Sequence, residues 1–551
     1  MRILSVEETQ AMEQAADDAG HSYGRMMELA GQGVARALLE RHGVKGRRVL
    51  ILVGPGNNGG DGLVAGRYLA DAGAKVTAYL SRSRSAEDDP VFQQAEEHGV
   101  RIIYREEDSD GEMLQRLTAK AHVLIDALLG TGATPPLRGT IQEMLDDVWA
   151  ALDSRNHPLM SLNRAPLSKP IRPFIVAVDG PSGMDYDTGE IDDLALNAQL
   201  TVTFAQPKPG QFRFPAAQHI GELVVADIGV PAEVELPEAA PEVATLQMVQ
   251  AWLPMRPNDA HKGTFGKAFI VAGSVNYTGA AALAAMSAVR AGTGLVTLGI
   301  AGSLHDSIVP LVPEATYVLL PESLGALNAD AQAVLDDALE DYDALLIGPG
   351  LGQAPETADC LRMLVGRRPK KRGAGFRSPT ATENPAETPL PPLVVDADGL
   401  NLLSKMPDWP EALPPETILT PHPGEMARLA DVEIKVIQQD RLAAAKTHAD
   451  QWGHVVVLKG AFTVVAAPDG RAVLLPFANA GLASAGTGDV LAGTIVALRA
   501  QGLAAFEAAV AGAYIHAMAG EIARIAHGAA GMAAHDVANA LSETIHRVGE
   551  G

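Results

Sequence analysis

Short runs of aliphatic and β-branched residues recur along this 551-residue chain, and several of them end at Gly, Asp or Lys. Arg47–Val53 runs directly into glycine, a helical pattern follows at Leu63–Asp71, and a second apolar run spans Lys75–Leu80. That order reads as β–α–β, with a glycine loop at the carboxyl end of a strand. His122–Asp126 and Phe174–Asp179 repeat the strand pattern and each closes on an aspartate. The pattern restarts at Ala268–Ala272, Ala344–Ile347, Leu393–Asp396 and Val455–Leu458, and from Asp489 onward it turns helical. Such alternation predicts α/β layers. An aromatic content of only 4% suits helices and strands packed through Ala, Gly, Val and Leu. The length predicts two or three domains.

Two glycine-rich loops carry an acid. The first is Gly54–Gly62, containing Asn57-Asn58-Gly59-Gly60-Asp61; the second is Ala485-Gly486-Thr487-Gly488-Asp489. Glycine allows backbone N–H groups to approach an anion closely. A carboxylate beside a phosphate repels it unless a cation or a proton transfer intervenes, so each loop suggests an active site. The first does not match the G-x-G-x-x-G dinucleotide fingerprint cleanly, and hydride transfer is not implied. Its companions are Asp126–Gly132 and Asp179-Gly-Pro-Ser-Gly183, whose Asn, Asp and Ser oxygens could converge on a hard cation. Asp179 could instead shuttle protons. In the second loop, backbone N–H groups could stabilise a transferring phosphoryl group while Asp489 accepts a hydroxyl proton.

A formal net charge of -24 argues against a broad nucleic-acid or anionic-membrane surface. The single cysteine, Cys360, excludes an intrachain disulfide and fits a reducing compartment, with a structural role expected for the thiol. Ser5 and Glu8 have capping-box spacing, predicting a helix where a signal peptide would have an apolar core. Ala268–Gly302 contains only one charged residue, Arg290, but Gly273–Gly279 interrupts it with turn chemistry, so strand–turn–helix is expected rather than a membrane span. A soluble, cytoplasmic protein is predicted. Residues 231–245, rich in Pro, Ala and Glu, read as a linker, and 153–173 and 366–392 read as inserts, the latter holding the basic run Arg367–Arg372.

The set Asn57–Gly62, Asp126–Gly132 and Asp179–Gly183 resembles the NAD(P)H-hydrate epimerase family, with a Rossmann-like three-layer fold, across residues 1–230. The resemblance implies substrate contacts at Asn57, Asn58, Gly59, Gly60, Asp61, Gly130, Thr131, Gly132, Ala133, Thr134, Pro135, Pro136 and Asp179. It implies potassium binding by Asn58, Asp126 and Ser182, with Asp179 as the catalytic acid/base. Gly180 stands where the family usually has Ile, and the insert precedes strand Phe174–Val178.

His261–Gly266, Gly348–Gly352, Asp396–Asn401, Thr420–Glu425 and Leu458–Thr463 accompany the second loop. Together they resemble the ribokinase-like ADP-dependent NAD(P)H-hydrate dehydratase family across residues 246–551. That resemblance implies ADP contacts at Lys459, Gly460, Ala461, Phe462, Thr463 and Gly488. It implies hydrate contacts at Ala280 or Ala281, Gly350 or Gly352, His422 and Asp489, with Asp489 as the base. The expected activity is epimerisation of hydrated NADH or NADPH followed by ADP-driven dehydration of the S form, with magnesium accompanying the nucleotide and AMP and phosphate released. The competing expectations are a ribokinase-like small-molecule kinase and an N-terminal module that only binds or scaffolds. A homo-oligomer is the prior for such an enzyme.

Overall fold

The computed structural model describes residues 1–84, 89–154, 173–366 and 390–550. The basic run Arg367–Arg372, and nearly all of the inserts expected at 153–173 and 366–392, lie outside them. By contacts the chain forms two units, Arg2–Ala240 and Pro241–Gly551 together with Met1.

In the first unit seven strands form one sheet: β1 (Arg48–Val53), β2 (Lys75–Leu80), β3 (Arg101–Tyr104), β4 (Val123–Ala127), β5 (Phe174–Val178), β6 (Leu200–Phe204) and β7 (Glu222–Ala226). Their order is β3-β2-β1-β4-β5-β6-β7, and every pairing is parallel. Three helices matter for the site: α1 (Val6–Asp18), α2 (Tyr23–Arg41) and α3 (Asn57–Asp71). Strand alternation explains the continuous apolar runs. Val49, Ile51 and Val53 pack with Leu38 of α2 and Leu63 and Leu69 of α3, whereas Leu50 and Leu52 pack on the opposite face with Leu114, Leu145 and Val148. The result is the expected Rossmann-like three-layer arrangement. The capping box forms as predicted, with Glu8 N–H donating to Ser5 Oγ at 3.2 Å and Ser5 N–H to Glu8 Oε2 at 2.8 Å.

One boundary differs from the sequence reading. Asn57–Gly62 is not a loop before a helix but the first turns of α3, whose N-cap is Gly56. The glycines are needed because the helix start sits on neighbouring backbone. A Cβ at Gly54 would lie 1.6 Å from the Leu128 carbonyl oxygen, and one at Gly59 would lie 2.2 Å from that of Gly54.

The second unit holds a ten-stranded sheet and a small hairpin. In chain order its strands are β8 (Glu242–Val243), β9 (Lys267–Val271), β10 (Leu295–Ala301), β11 (Thr316–Leu320), β12 (Glu322–Ser323), β13 (Ala326–Leu327), β14 (Ala344–Ile347), β15 (Leu393–Val395), β16 (Ile418–Leu419), β17 (Val455–Leu458), β18 (Val464–Ala466) and β19 (Ala472–Leu474). The large sheet runs β11-β10-β9-β14-β15-β16-β17-β18-β19-β8, parallel through β17 and antiparallel at β17–β18 and β18–β19. Glu242–Val243, within the stretch read as a linker, is therefore an edge strand paired with β19. Small residues bring the covering helices close: a Cβ at Gly493, on helix Thr487–Ala500, would lie 2.2 Å from the Ala284 carbonyl oxygen on helix Thr278–Arg290. This is the ribokinase-like α/β unit expected. Ala268–Gly302 resolves into β9, that helix and β10. Among the described residues no helix is long and apolar enough to cross a membrane. Cys360 is buried, and burial pushes its thiol up to about 11, which leaves it a packing residue.

Candidate active sites

In the first unit the strand order reverses between β1 and β4, and ligands of open parallel sheets bind outside the carboxyl ends of strands at such a point. Asp126 ends β4 fully buried. It accepts from Ser182 Oγ at 2.6 Å, Ser182 N–H at 2.9 Å and Leu128 N–H at 3.3 Å. Ser182 Oγ accepts in turn from Leu129 N–H at 3.0 Å, and Asn58 Nδ2 donates to the Leu129 carbonyl at 3.0 Å. The expected trio Asn58, Asp126 and Ser182 is thus one connected network. Burial raises the Asp126 pKa, while the bonds from Ser182 and Leu128 lower it. Asn58 Oδ1 is buried without a hydrogen-bond partner among the described residues. A spare amide oxygen beside a hydroxyl, carbonyls and a carboxylate is a donor set that fits a hard alkali cation. Gly130 lies against Asn58, with its Cβ position 3.4 Å from that of Asn58.

Asp179 follows β5 with φ of 64°, a left-handed conformation uncommon for a residue with a side chain. Its partners hold it there. Lys208 Nζ and Thr203 Oγ1 both donate to Asp179 Oδ1 at 2.7 Å, Lys208 Nζ also donates to Thr203 Oγ1 at 2.9 Å, and Gln211 Nε2 donates to the Asp179 carbonyl at 2.9 Å. Lys208 is only 1% exposed, so its charge is committed to this pair. Asp61, on α3, is 8% exposed and makes no side-chain hydrogen bond or ion pair among the described residues. Burial first, then the charges of Asp179 and Glu13, push it well above the usual carboxylate range; Lys208 opposes. Glu13 on α1 is raised too, chiefly by burial.

The sequence reading missed Lys208, Thr203, Gln211 and Glu13. A lysine in Pro207-Lys208-Pro209-Gly210, just past a strand end, was the available signal for the first. The departure at Gly180 has a physical cause. A Cβ there would stand 2.7 Å from the hydroxyl of Tyr186, a ring only 2% exposed. Among the described residues that hydroxyl has no hydrogen-bond partner, and burial with the Asp179 and Asp126 charges raises its pKa.

In the second unit the reversal falls between β9 and β14, and the motifs collect at strand ends on that edge. Asp396, past β15 and 1% exposed, accepts on Oδ1 from Thr420 Oγ1 and Lys459 Nζ, each at 2.7 Å. Lys459 Nζ also lies 3.6 Å from Glu425 Oε2. The opposing carboxylates outweigh burial and raise the Lys459 pKa, which keeps a fixed cation at the cleft. Asp489, in the first turn of helix Thr487–Ala500, makes no side-chain hydrogen bond or ion pair among the described residues. Burial, reinforced by Asp396, lifts it to about 7. His422 caps helix Pro423–Ala430: Nδ1 accepts from Gly424 N–H at 3.0 Å and Glu425 N–H at 3.3 Å. Burial and the charges of Lys459 and Arg428 lower its pKa, and Nε2 lies 3.4 Å from Glu425 Oε1.

A cavity of about 370 Å³ opens beside this cluster. Lys459, Gly460, Ala461, Thr463 and Gly488, five of the six residues expected at ADP, line it, as does His422. Phe462 does not; its N–H donates to the Phe477 carbonyl at 2.8 Å. Arg441, unforeseen from sequence, braces the Lys459–Ala461 loop by donating to the carbonyls of Leu458 at 2.9 Å, Lys459 at 3.0 Å and Ala461. Gly350, at φ of 64°, lies against Ala280, whereas Ala281 is fully buried against Gly273.

Comparison with known proteins fits both halves. Residues 24–210 match the family described as YjeF-related protein N-terminus, and residues 268–543 match NAD(P)H-hydrate dehydratase. The bifunctional NAD(P)H-hydrate repair enzyme Nnr of Moorella thermoacetica is 36% identical over 536 residues, 95% of this chain and 93% of its own length. That of Escherichia coli is 31% identical over 97% of this chain and 92% of its own length. The crystal structure of the ADP/ATP-dependent NAD(P)H-hydrate dehydratase from Bacillus subtilis, 32% identical, covers 56% of this chain and 99% of its own, with a TM-score of 0.46. Similarity at this level along nearly the whole chain makes the protein a member of the bifunctional NAD(P)H-hydrate repair enzyme family.

Proposed function

We infer that the protein repairs hydrated nicotinamide nucleotides in two steps. The first site interconverts the R and S epimers of hydrated NADH or NADPH. The second dehydrates the S form at the expense of ADP, giving AMP and phosphate. The observation that carries this reading is Asp489: a partnerless carboxyl group, lifted to about 7, at a helix start beside a lysine-lined cavity. That is the protonation behaviour a general base needs near neutral pH.

Hydroxide leaves poorly and phosphate leaves well. Asp489 takes the proton of the substrate hydroxyl as its oxygen attacks the terminal phosphorus of ADP, releasing AMP. The phosphorylated intermediate then loses phosphate together with a ring proton, which restores the dihydropyridine. Lys459 and the N–H groups of the Thr487–Ala500 helix start neutralise charge on the transferring group. Gly460, Ala461, Thr463 and Gly488 hold ADP, with Phe462 buttressing that loop. Ala280, Gly350, Gly352 and His422 hold the hydrate. Magnesium, expected with ADP, would supply further charge neutralisation, and Asp396, held beside Lys459, would be the carboxylate to hold it.

At the first site, Asn57–Asp61 and Gly130–Pro136 would hold the nucleotide and Asp179 would move the proton. Potassium, held by Asn58, Asp126 and Ser182, would supply fixed positive charge against the substrate phosphates. A cytoplasmic setting and a homo-oligomeric assembly belong to the same proposal, as does a domain division at residues 231–245. Asp489→Asn is expected to bind ADP with near wild-type affinity while dehydratase kcat falls on the order of 10³-fold; calorimetric titration and absorbance assays measure the two. Undiminished turnover would remove Asp489 as the base, and a stable phosphorylated product from wild type would favour a kinase instead.

A further inference from the structure

The epimerase site holds two carboxyl groups in opposite settings. Asp179 Oδ1 accepts from Lys208 Nζ and Thr203 Oγ1, each at 2.7 Å. Among the described residues Asp61 has no donor or cation bonded to it, and it is buried in the first turns of α3. The groups whose charges reach Asp61 are Asp179, Glu13 from α1 and Lys208 beyond β6. Two of these three are acids, and the lysine is already engaged by Asp179. Asp61 on α3, which follows β1, and Asp179, which follows β5, come from strands on either side of β4, and the charge of Asp179 reaches Asp61.

We propose that Asp61 is a second catalytic residue of the epimerase site, the acid that works opposite Asp179 in a step that removes and returns water at the carbinol carbon. The inference rests on the epimerase reading above and adds the division of labour. An enamine takes up water with the hydroxyl on the carbon next to nitrogen, so the hydrate's stereocentre is a hemiaminal. Asp61 gives its proton to that hydroxyl as the carbon–oxygen bond breaks and water departs. The ring nitrogen's electron pair forms the carbon–nitrogen double bond. A water on the opposite face then adds its oxygen to the same carbon while Asp179 takes one of its protons, and the electron pair returns to nitrogen. One proton has passed from Asp61 to Asp179, and the reverse epimerisation uses the same groups with exchanged roles. Two carboxyl groups with divided protonation is the general arrangement for acid–base work at one centre. The elevation of Asp61 by burial and neighbouring acids supports its carrying the proton near neutral pH.

The test uses the full-length chain and an R-hydrate sample in water enriched in oxygen-18, with ADP omitted so that only epimerisation is followed. Wild type is expected to incorporate one solvent oxygen per inversion, corrected for spontaneous exchange. Asp61→Asn keeps shape and hydrogen-bonding capacity, yet its epimerisation kcat is expected to fall on the order of 10²–10³-fold with little change in KM. The alkaline limb of the wild-type pH profile, where Asp61 loses its proton, is expected to disappear. Unchanged S-form dehydration by the same variant reports that the chain is folded. Inversion by wild type without solvent oxygen, or a near wild-type rate for Asp61→Asn, overturns the proposal while leaving epimerase activity standing. A wild type that does not epimerise at all overturns the parent reading and this one with it.

Discussion

At the scale of single residues, environment rather than identity separates the carboxyl groups of this chain. Asp489 without a partner is lifted to about 7, whereas Asp396, equally acidic by type, is tied to Lys459 and Thr420. A base works in its ionised form, so kcat/KM of the dehydratase for the S hydrate is expected to rise with pH and level off above about 7. A profile flat from pH 5 to 9 would contradict that role. Gly180 makes a second residue-level prediction. Tyr186 occupies the space a side chain at 180 would need, so Gly180→Ala is expected to cost about 1–3 kcal/mol by overpacking. Calorimetry of the full chain would show it as a lowered midpoint for that unit, and an unchanged midpoint would show that the Tyr186 ring gives way without cost.

At the scale of elements, the strands were legible because buried parallel strands are short, unbroken apolar runs: β1, β4, β5 and β17 fall on the runs read from sequence, within a residue or two. The aspartates at the ends of β4 and β5 and the lysine after β17 were legible for the same reason. What escaped was what the local pattern does not encode. Asn57–Gly62 looks like a loop because glycine is a poor helix former, yet tertiary approach to Gly54 and Ala127 demands those glycines inside α3. Lys208 and Glu13 escaped because only the fold brings β6's following turn and α1 to Asp179 and Asp61. Arg441 escaped likewise: its helix comes just before β17, and only the fold turns its first residue back onto the loop after that strand. Removing that brace by Arg441→Ala is expected to raise KM for ADP about tenfold, the equivalent of one charge-assisted hydrogen bond, with a smaller effect on kcat. An unchanged KM would show that the loop holds its shape unaided.

At the scale of the whole molecule, each unit puts its chemistry where its own sheet reverses strand order, and the two sites differ in what the carboxyl groups are given to work with. The first gives Asp179 a buried lysine as partner and joins Asn58, Asp126 and Ser182 in one hydrogen-bonded network. The second offers a cavity, a fixed ammonium and an unpaired carboxyl group. Linked by a common substrate, the first would supply the epimer that the second consumes. The most direct measurement is reduced-nicotinamide absorbance in a solution of the full chain, mixed R and S hydrates, ADP and magnesium. The account predicts complete recovery of both epimers by wild type. With Asp179→Ala it predicts rapid recovery of the S fraction and recovery of the R fraction only at the spontaneous rate. No recovery by folded wild type, or R-form recovery undiminished by Asp179→Ala, would contradict it.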